Sequence, residues 1–219
     1  MRTTPPRPQL FAAGLLCGLA VSVFGAGRVS AQTPNPTPGP KAAPGRTDAG
    51  RPPISPADVA FMSGMIVHHR QAILMAGWAP THDAGPAVRE LCQRILVSQR
   101  DEIATMERWL REHHEAVPDS ASPSGRVMAG MDRPMLMPGM LTDEQLARLD
   151  GARGPAFDRL FLTLMIQHHE GALTMVQQLM GTAGAAQDGF VFQSASDVNA
   201  DQTAEIDRMR RMLAPLSLQ

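Results

Sequence analysis

Cysteine is scarce in this sequence, and neither sign of charge is in excess. Among the 219 residues the only cysteines are Cys17 and Cys92, and Cys17 lies in an apolar N-terminal stretch. Removal of that stretch would leave Cys92 without a partner in the chain, so we predict a protein with no internal disulfide. The formal net charge of -1 provides no basic surface for nucleic acid. We therefore expect no nucleic-acid partner and a fold that is stabilised by its core.

The first 31 residues have the layout of a secretory signal peptide. Arg2 and Arg7 precede an uncharged apolar stretch at 10–24, and small residues follow at 29–31, as at a signal cleavage site. The apolar stretch is short for a membrane span, so we predict cleavage rather than anchoring, with no membrane attachment afterwards. Residues 32–55 are rich in Pro and Gly and are predicted to form a disordered tether. These features predict a periplasmic or secreted protein.

Helix signals divide residues 56–214 into two helical hairpins. A half-buried strand would need alternating apolar and polar residues, and no segment has that pattern. Proline, capping residues and helical periodicity instead predict long helices from 56 to about 79, 87 to 115, 155 to 181 and, with a less defined start, 203 to 213. A capping box at Thr142 predicts a short additional helix. The predicted organisation is a first hairpin at 56–116, a methionine-rich connector at 117–141 and a second hairpin at 142–214.

The two hairpins repeat one sequence pattern. The segment FMSGMIVHHRQAILM at 61–75 shares Phe, Met, Ile, His, His, Ala and Met with FLTLMIQHHEGALTM at 161–175, at a constant offset of 100. The helix after each segment carries Q-x-x-E-I-x-x-M, at 99–106 and at 202–209. Two amphipathic hairpins that each expose an apolar face are expected to close face to face. The predicted fold is therefore an all-α four-helix bundle built from two repeated helical hairpins.

Each histidine pair is predicted to lie on the inward half of its helix. Adjacent residues are separated by about 100° around a helix, so one ring of each pair should face the centre and the other a neighbouring helix. The Glu and Met of the second motif share one face of the following helix. Imidazole, carboxylate and thioether groups therefore meet, and the thioethers favour a copper ion, especially Cu(I). The candidate metal ligands are Met65, His68, His69, Met75, Glu102, Met106, Met165, His168, His169, Met175, Glu205 and Met209.

A buried polar network is the alternative explanation of these residues. In that network the histidines donate to Glu102 and Glu205, and the methionines fill the core. Four inward histidines are costly to bury unless each is fully paired, which favours the metal-binding hypothesis. The connector offers a similar choice, because its methionines either form an accessory metal loop or pack on the end of the bundle. The connector methionines are Met128, Met131, Met135, Met137 and Met140.

The sequence resembles the family called domain of unknown function 305 (DUF305). The segments that carry the resemblance are MIVHHRQAILM, QRDEIATMERWL, MIQHHEGALTM and QTAEIDRMRRML, and it covers most of residues 57–213. The resemblance implies an exported bacterial protein with a ferritin-like four-helix bundle, in a family of which some members bind copper. It also implies copper or silver binding at Met65, His68, His69 and Met75, and at Met165, His168, His169 and Met175.

Three functions are compatible with these features. The first is non-enzymatic binding of copper, as Cu(I) or equally Ag(I), for buffering, resistance or delivery to an unidentified protein partner. The second is a ferritin-like oxidoreductase with a di-metal centre, which would need Glu three residues before a ligating His. Neither histidine pair is preceded by Glu at that spacing, so the sequence favours the first function over the second. The third is a structural or protein-binding bundle without metal.

Overall fold

The computed structural model describes residues 54–119 and 136–216, and within these two ranges the chain is helical and contains no strand. The all-α prediction is therefore confirmed. The predicted signal peptide at 1–31 and nearly all of the predicted tether lie outside the described residues. The five helices are α1 Pro56–Gly77, α2 Pro86–Glu112, α3 Asp143–Gly151, α4 Gly154–Gly181 and α5 Gly189–Leu216.

The helices begin where the sequence signals predict. Ser55 caps α1, since its hydroxyl accepts from the backbone N–H of Asp58 at 3.1 Å, and the Asp58 carboxylate accepts from the backbone N–H of Ser55 at 2.8 Å. Thr142 and Gln145 form the same capping box at the start of α3. Both hairpin-one helices end slightly earlier than predicted, at Gly77 and Glu112. Turn residues follow each of these two helix ends.

The start of α5 extends further than the sequence predicts. The less defined segment before residue 203 is helical from Gly189 onward. The Asp188 side chain accepts from the backbone N–H of Phe190 at 3.0 Å and of Val191 at 3.1 Å, which satisfies donors of the first turn. Val191, Ala195 and Val198 are buried at helical spacing. The polar residues that obscured this helix therefore belong to its outer face.

The two histidine-bearing helices, α1 and α4, pack against each other, while α2 packs on α1 and α5 packs on α4. Each hairpin thus forms the helix pair that the repeat predicts. Repeat-related positions are buried in both hairpins, as shown by Ile95 with Val198 and by Gln99 with Gln202. None of the helices in the two described ranges is long and apolar enough to cross a membrane.

A repeat-related pair of aspartates, which sequence reasoning missed, connects the two hairpins. Asp58 on α1 accepts from the backbone N–H of Ala186, in the loop of the second hairpin, at 2.7 Å. Asp158 on α4 accepts from the backbone N–H of Gly85, in the loop of the first hairpin, at 3.0 and 3.1 Å. Each histidine-bearing helix therefore fixes the loop of the other hairpin.

The end of the connector packs tightly on α4. Gly139 has a φ of 74°, which glycine adopts without strain. A Cβ on Gly171 would lie 2.1 Å from the carbonyl oxygen of Pro138, so the two backbones approach more closely than any side chain permits. The Gln71 side chain also bonds both the N–H and the carbonyl of Leu141, at 2.8 and 3.1 Å. These contacts hold residues 138–141 against the middle of α1 and α4.

The variant Gly171→Ala tests this close approach. We expect a loss of about 1–3 kcal/mol in the free energy of unfolding, because the added methyl group forces two backbone segments apart. Gly181, in the same helix, has no atom within 4 Å of a built Cβ, so Gly181→Ala is the matched control and should change stability by less than about 0.5 kcal/mol. Urea denaturation measures both. Equal stabilities for the two variants would contradict the described packing.

Candidate metal centre

The centre of the bundle contains a pair of closely packed, tilted imidazoles. His68 comes from the middle of α1 and His168 from the middle of α4, and both are fully buried. Their ring centroids lie 3.8 Å apart with an interplanar angle of 39°. This pair brings the two hairpins together at repeat-related residues, and we call it the central pair. The prediction that one ring of each HH motif faces the centre is confirmed.

The second histidine of each motif contacts a glutamate on the neighbouring helix. His169 Nε2 lies 2.6 Å from Glu205, and His69 Nε2 makes the equivalent short contact with Glu102. We call His69 and His169 the outer pair. Both outer histidines are fully buried, whereas the glutamates are partly exposed. The carboxylates therefore lie between the outer imidazoles and solvent, in the positions that the Q-x-x-E-I-x-x-M motif predicts.

The hydrogen bonds fix the tautomer of three of the four histidines. His68 Nε2 lies 3.0 Å from the carbonyl oxygen of Pro138, and a carbonyl can only accept, so Nε2 carries the proton. The carboxylates of Glu102 and Glu205 likewise accept from the outer pair. The Nδ1 atom of His68 consequently retains a free lone pair, and the Nδ1 atoms of His69 and His169 have no hydrogen-bond partner in the described residues. Donation from one ring nitrogen to a carbonyl or carboxylate is the usual arrangement around a histidine that ligates a metal through its other nitrogen.

Several buried polar atoms of the four long helices have no hydrogen-bond partner among the described residues. They are Nδ1 of His68, His69 and His169, both ring nitrogens of His168, and both side-chain amide atoms of Gln99 and Gln202. Apart from the Trp109 indole, these are all the unpartnered buried side-chain nitrogens and oxygens in the described part of the chain. Each such group costs about 1–3 kcal/mol if it remains unsatisfied. The donor set therefore fits a ligand that accepts imidazole lone pairs.

Burial keeps the central pair neutral. Desolvation, followed by the neighbouring His69, lowers the pKa of His68 to about 3. Desolvation, together with the repulsion that protonated neighbouring histidines would exert, also lowers the pKa of His168 well below its usual value. A neutral imidazole has a lone pair to offer a metal ion, whereas a protonated one does not. The central pair is thus ready to act as ligands at neutral pH without losing protons.

The six predicted helical methionines divide between two buried clusters, three in each. One cluster contains Met65, Met106 and Met175, and the other contains their repeat counterparts Met165, Met209 and Met75. All six are buried. Each repeat-related pair of methionines thus contributes one member to each cluster, as the repeat predicts.

Two connector methionines join only the first of these clusters. Met137 and Met140 are buried beside Met65 and Met175, which matches packing on the bundle. Met128, Met131 and Met135 lie outside the described residues, so the accessory metal loop stays a prediction.

The described residues contain no group of three His, Cys, Asp or Glu side chains that converge to hold a metal ion. The central pair alone supplies two imidazoles at close range, and Glu102 and Glu205 are engaged by the outer pair. A site at this centre would therefore combine imidazole with thioether, the donor set that suits soft monovalent ions. A carboxylate-bridged di-metal centre would need more converging carboxylates than these residues bring together.

Sequence reasoning missed the backbone groups that complete this centre. The Pro138 carbonyl orients His68, and its position depends on the contacts of Gln71 and Gly171 with the connector. The only sequence signal was the glycine at 171, where Arg70, Gln71 and Ala72 of the first motif align with Glu170, Gly171 and Ala172. A glycine within an otherwise helical motif often marks a close backbone approach.

The fold and centre define a class of protein: an all-helical bundle of two repeated hairpins, with paired buried histidines and buried methionine clusters. Residues 58–213 match the family Domain of unknown function (DUF305), and the chain belongs to that family. A 55-residue stretch is also 36% identical to the uncharacterized protein L153 of Acanthamoeba polyphaga mimivirus. That stretch spans 25% of this chain and 36% of the relative.

Solved structures of similar proteins share the fold. A DUF305 fragment from Deinococcus radiodurans is 28% identical, with a TM-score of 0.62, over 75% of this chain and 99% of that one. A DUF305 protein from Streptomyces coelicolor, described as secreted, is 27% identical, with a TM-score of 0.62, over 74% and 94% of the two chains. CopM in its Cu(II)-bound form is 28% identical, with a TM-score of 0.57, over 72% and 96%. CopM was also solved in Cu(I)-bound and Ag-bound forms.

Proposed function

We propose that this protein binds Cu(I), and equally Ag(I), at the centre of the bundle and serves in copper buffering, resistance or delivery. The observation that carries the proposal is the set of buried imidazole nitrogens without hydrogen-bond partners among the described residues, in a core that also holds two methionine-containing clusters. Thioether and imidazole together select soft monovalent copper over harder ions. The similarity to CopM, solved with copper and with silver, supports the same conclusion.

The proposed ligands follow from the geometry. His68 and His168 would bind the ion, with methionines from the adjoining clusters as further donors. The outer pair would donate hydrogen bonds to Glu102 and Glu205 beside the ion. The sequence also predicts these two glutamates as candidate ligands. The similar protein CopM has been solved with bound copper and with bound silver. We therefore propose a metal-handling role without catalysis.

Export completes the proposal. The segment 1–31 would act as a cleaved signal peptide and 32–55 as a tether, placing the bundle in the periplasm or outside the cell. A soft-metal site without a thiolate pair suits that oxidising compartment, since a thioether binds without deprotonation and cannot be lost to a disulfide. An unidentified protein would receive or supply the ion.

Metal selectivity tests the proposal. Ag(I) or Cu(I) at about 100 times its Kd should raise the free energy of unfolding by about 2.7 kcal/mol, because the ion binds only the folded state. Zn(II) at the same concentration should have little effect, since zinc prefers thiolate, imidazole and carboxylate sets. The measurement is thermal unfolding of protein purified without an affinity tag, together with metal analysis and competition titration. Stabilisation by Zn(II) alone, or by no ion, would reject the proposed function.

A further inference from the structure

A groove of about 700 Å³ lies between the first half of α1 and the last turns of α4. Ala57, Ala60 and Gly64 line its α1 side, and Met175 lines its α4 side. In the part of the chain that the structure describes, this groove is open. Its walls are mostly apolar.

The opposite side of the same helix pair is covered by α3. Gln145 of α3 bonds Gln167 of α4 at 3.2 Å, and Asp150 of α3 bonds His82, just after α1, at 2.8 and 3.1 Å. At the offset of 100, Gln167 and His82 correspond to Val67 and Thr182, both of which line the groove. The groove is therefore the repeat-related counterpart of the surface that α3 fills.

On its groove side, α1 carries small residues at positions where α4 carries large residues in the repeat. The pairs are Ala57 with Phe157, Ala60 with Leu160, and Gly64 with Leu164. Phe157 is fully buried in the same cluster as Met75, which is the counterpart of Met175. The large residues on one side show that the fold accommodates them, so the groove is not a necessary result of the architecture.

Two thioether side chains meet at the floor of the groove. A Cβ on Gly64 would lie 3.4 Å from Met137 Sδ and 3.3 Å from Met175 Cε, so both methionines reach the point where Leu164 carries its side chain in the other hairpin. Met137 and Met175 also line the groove. Met75, the counterpart of Met175, is instead completely buried. Among the described residues, soft donors thus border an open space on this side of the helix pair and not on the side that α3 covers.

The two thioethers are connected to the central pair through Pro138. Pro138, which follows Met137, lines the groove and accepts the hydrogen bond of His68 Nε2 at 3.0 Å. The groove wall and the central pair therefore share one residue.

We propose that Met137 and Met175 form an uptake site, where a soft monovalent ion binds from the groove before it reaches His68 and His168. This inference rests on the proposed function and adds the route of the ion. The ion keeps its charge and oxidation state throughout, so the transfer only exchanges thioether donors for imidazole donors. The apolar walls favour an ion whose donors are neutral over a hydrated divalent ion.

The experiment follows Ag(I) uptake by stopped-flow mixing and by methyl NMR of the methionines. In the parent protein, substoichiometric Ag(I) should shift the ε-methyl signals of Met137 and Met175. In the double variant Met137→Leu with Met175→Leu, uptake should slow by at least about tenfold, a change of about 1.4 kcal/mol in the barrier. Gly64→Leu should slow uptake similarly, because its side chain fills the groove at the position equivalent to Leu164. The variant should still fold, since the atoms that the new side chain meets are the ends of flexible methionines.

Matched controls separate access from general damage. Met180→Leu removes a partly exposed thioether outside the groove, and Gly77→Leu adds a side chain in α1 where nothing lies within 4 Å; neither should slow uptake. Unfolding curves establish that every variant is folded. Unchanged uptake in the double methionine variant, with Ag(I) still bound at equilibrium, would overturn the uptake site and leave the proposed function intact. Absence of Ag(I) binding by the parent would overturn both.

Discussion

Replacing both residues of the central pair with leucine is expected to abolish stabilisation by Cu(I) or Ag(I). The variant His68→Leu with His168→Leu removes the two buried imidazoles and leaves a core of similar volume. At metal concentrations near 100 times the parent Kd, the parent should gain roughly 5–10 °C in melting temperature, and the variant should gain almost none. Thermal unfolding with and without Ag(I) measures the difference.

The stability of the apo variant distinguishes a metal centre from a polar network. His168 has no hydrogen-bond partner in the described residues, and His68 has one. Removing unsatisfied buried groups in favour of apolar ones is close to neutral or stabilising. The free energy of unfolding of the apo variant should therefore be close to that of the apo parent. A satisfied network would instead lose several of its bonds and become much less stable.

The outer pair provides the matched comparison. In the variant His69→Leu with His169→Leu, Glu102 and Glu205 lose their imidazole partners. The apo protein should then lose about 1–3 kcal/mol for each glutamate, while a substantial response to Ag(I) remains. If the outer variant loses the metal response and the central variant keeps it, the ligands are not the central pair and the assignment is wrong.

Much of this arrangement could be predicted from the sequence because it depends on helical periodicity. Residues 68 and 69 differ by about 100° around one helix, so the division into a central and an outer ring follows for any straight helix packed on two neighbours. The contacts of the outer pair with Glu102 and Glu205 follow from the repeated spacing of the second motif. Periodicity also explains why buried positions such as Gln99 and Gln202 match between hairpins.

Features that depend on the path of aperiodic chain could not be predicted. The Pro138 carbonyl reaches His68 only because the connector is held against Gly171 and Gln71. No local pattern in residues 136–141 encodes that contact. The sequence predicts the start of α5 poorly for a different reason. This part of the helix depends on the Asp188 cap and on a few buried residues rather than on strong helix formers. The groove likewise appears only when the two halves of the repeat are compared in space.

Acid is expected to destabilise the apo protein well above the pH at which most carboxylates titrate. The pKa of His68 is lowered to about 3 in the folded state, against about 6.5 in an unfolded chain. Between these values the unfolded chain binds more protons, so the free energy of unfolding rises with pH and falls as the solution is acidified. His168, whose pKa is also lowered, acts in the same direction.

The size of the effect is set by the pH window. The free energy of unfolding should fall by up to about 1.4 kcal/mol per pH unit for each histidine below about pH 6.5. The loss between pH 7 and pH 4 is therefore on the order of 3 kcal/mol or more. Asp158 and Asp201 have raised pKa values, chiefly because of burial. They oppose this trend only near the acid end, where the folded state retains their protons more strongly than the unfolded chain does.

Urea denaturation of the apo protein at pH 7, 6, 5 and 4 measures this dependence, and the central variant is the control. With His68→Leu and His168→Leu the two titrating groups are absent, so the slope between pH 6.5 and pH 4 should become shallow while Asp158, Asp201, Glu102 and Glu205 remain. Parallel slopes for parent and variant would show that the central pair does not carry the acid sensitivity. Saturating Ag(I) should raise the parent's free energy of unfolding by a similar amount across the upper part of the window and leave the slope unchanged, because the folded imidazoles carry no proton there for the ion to displace.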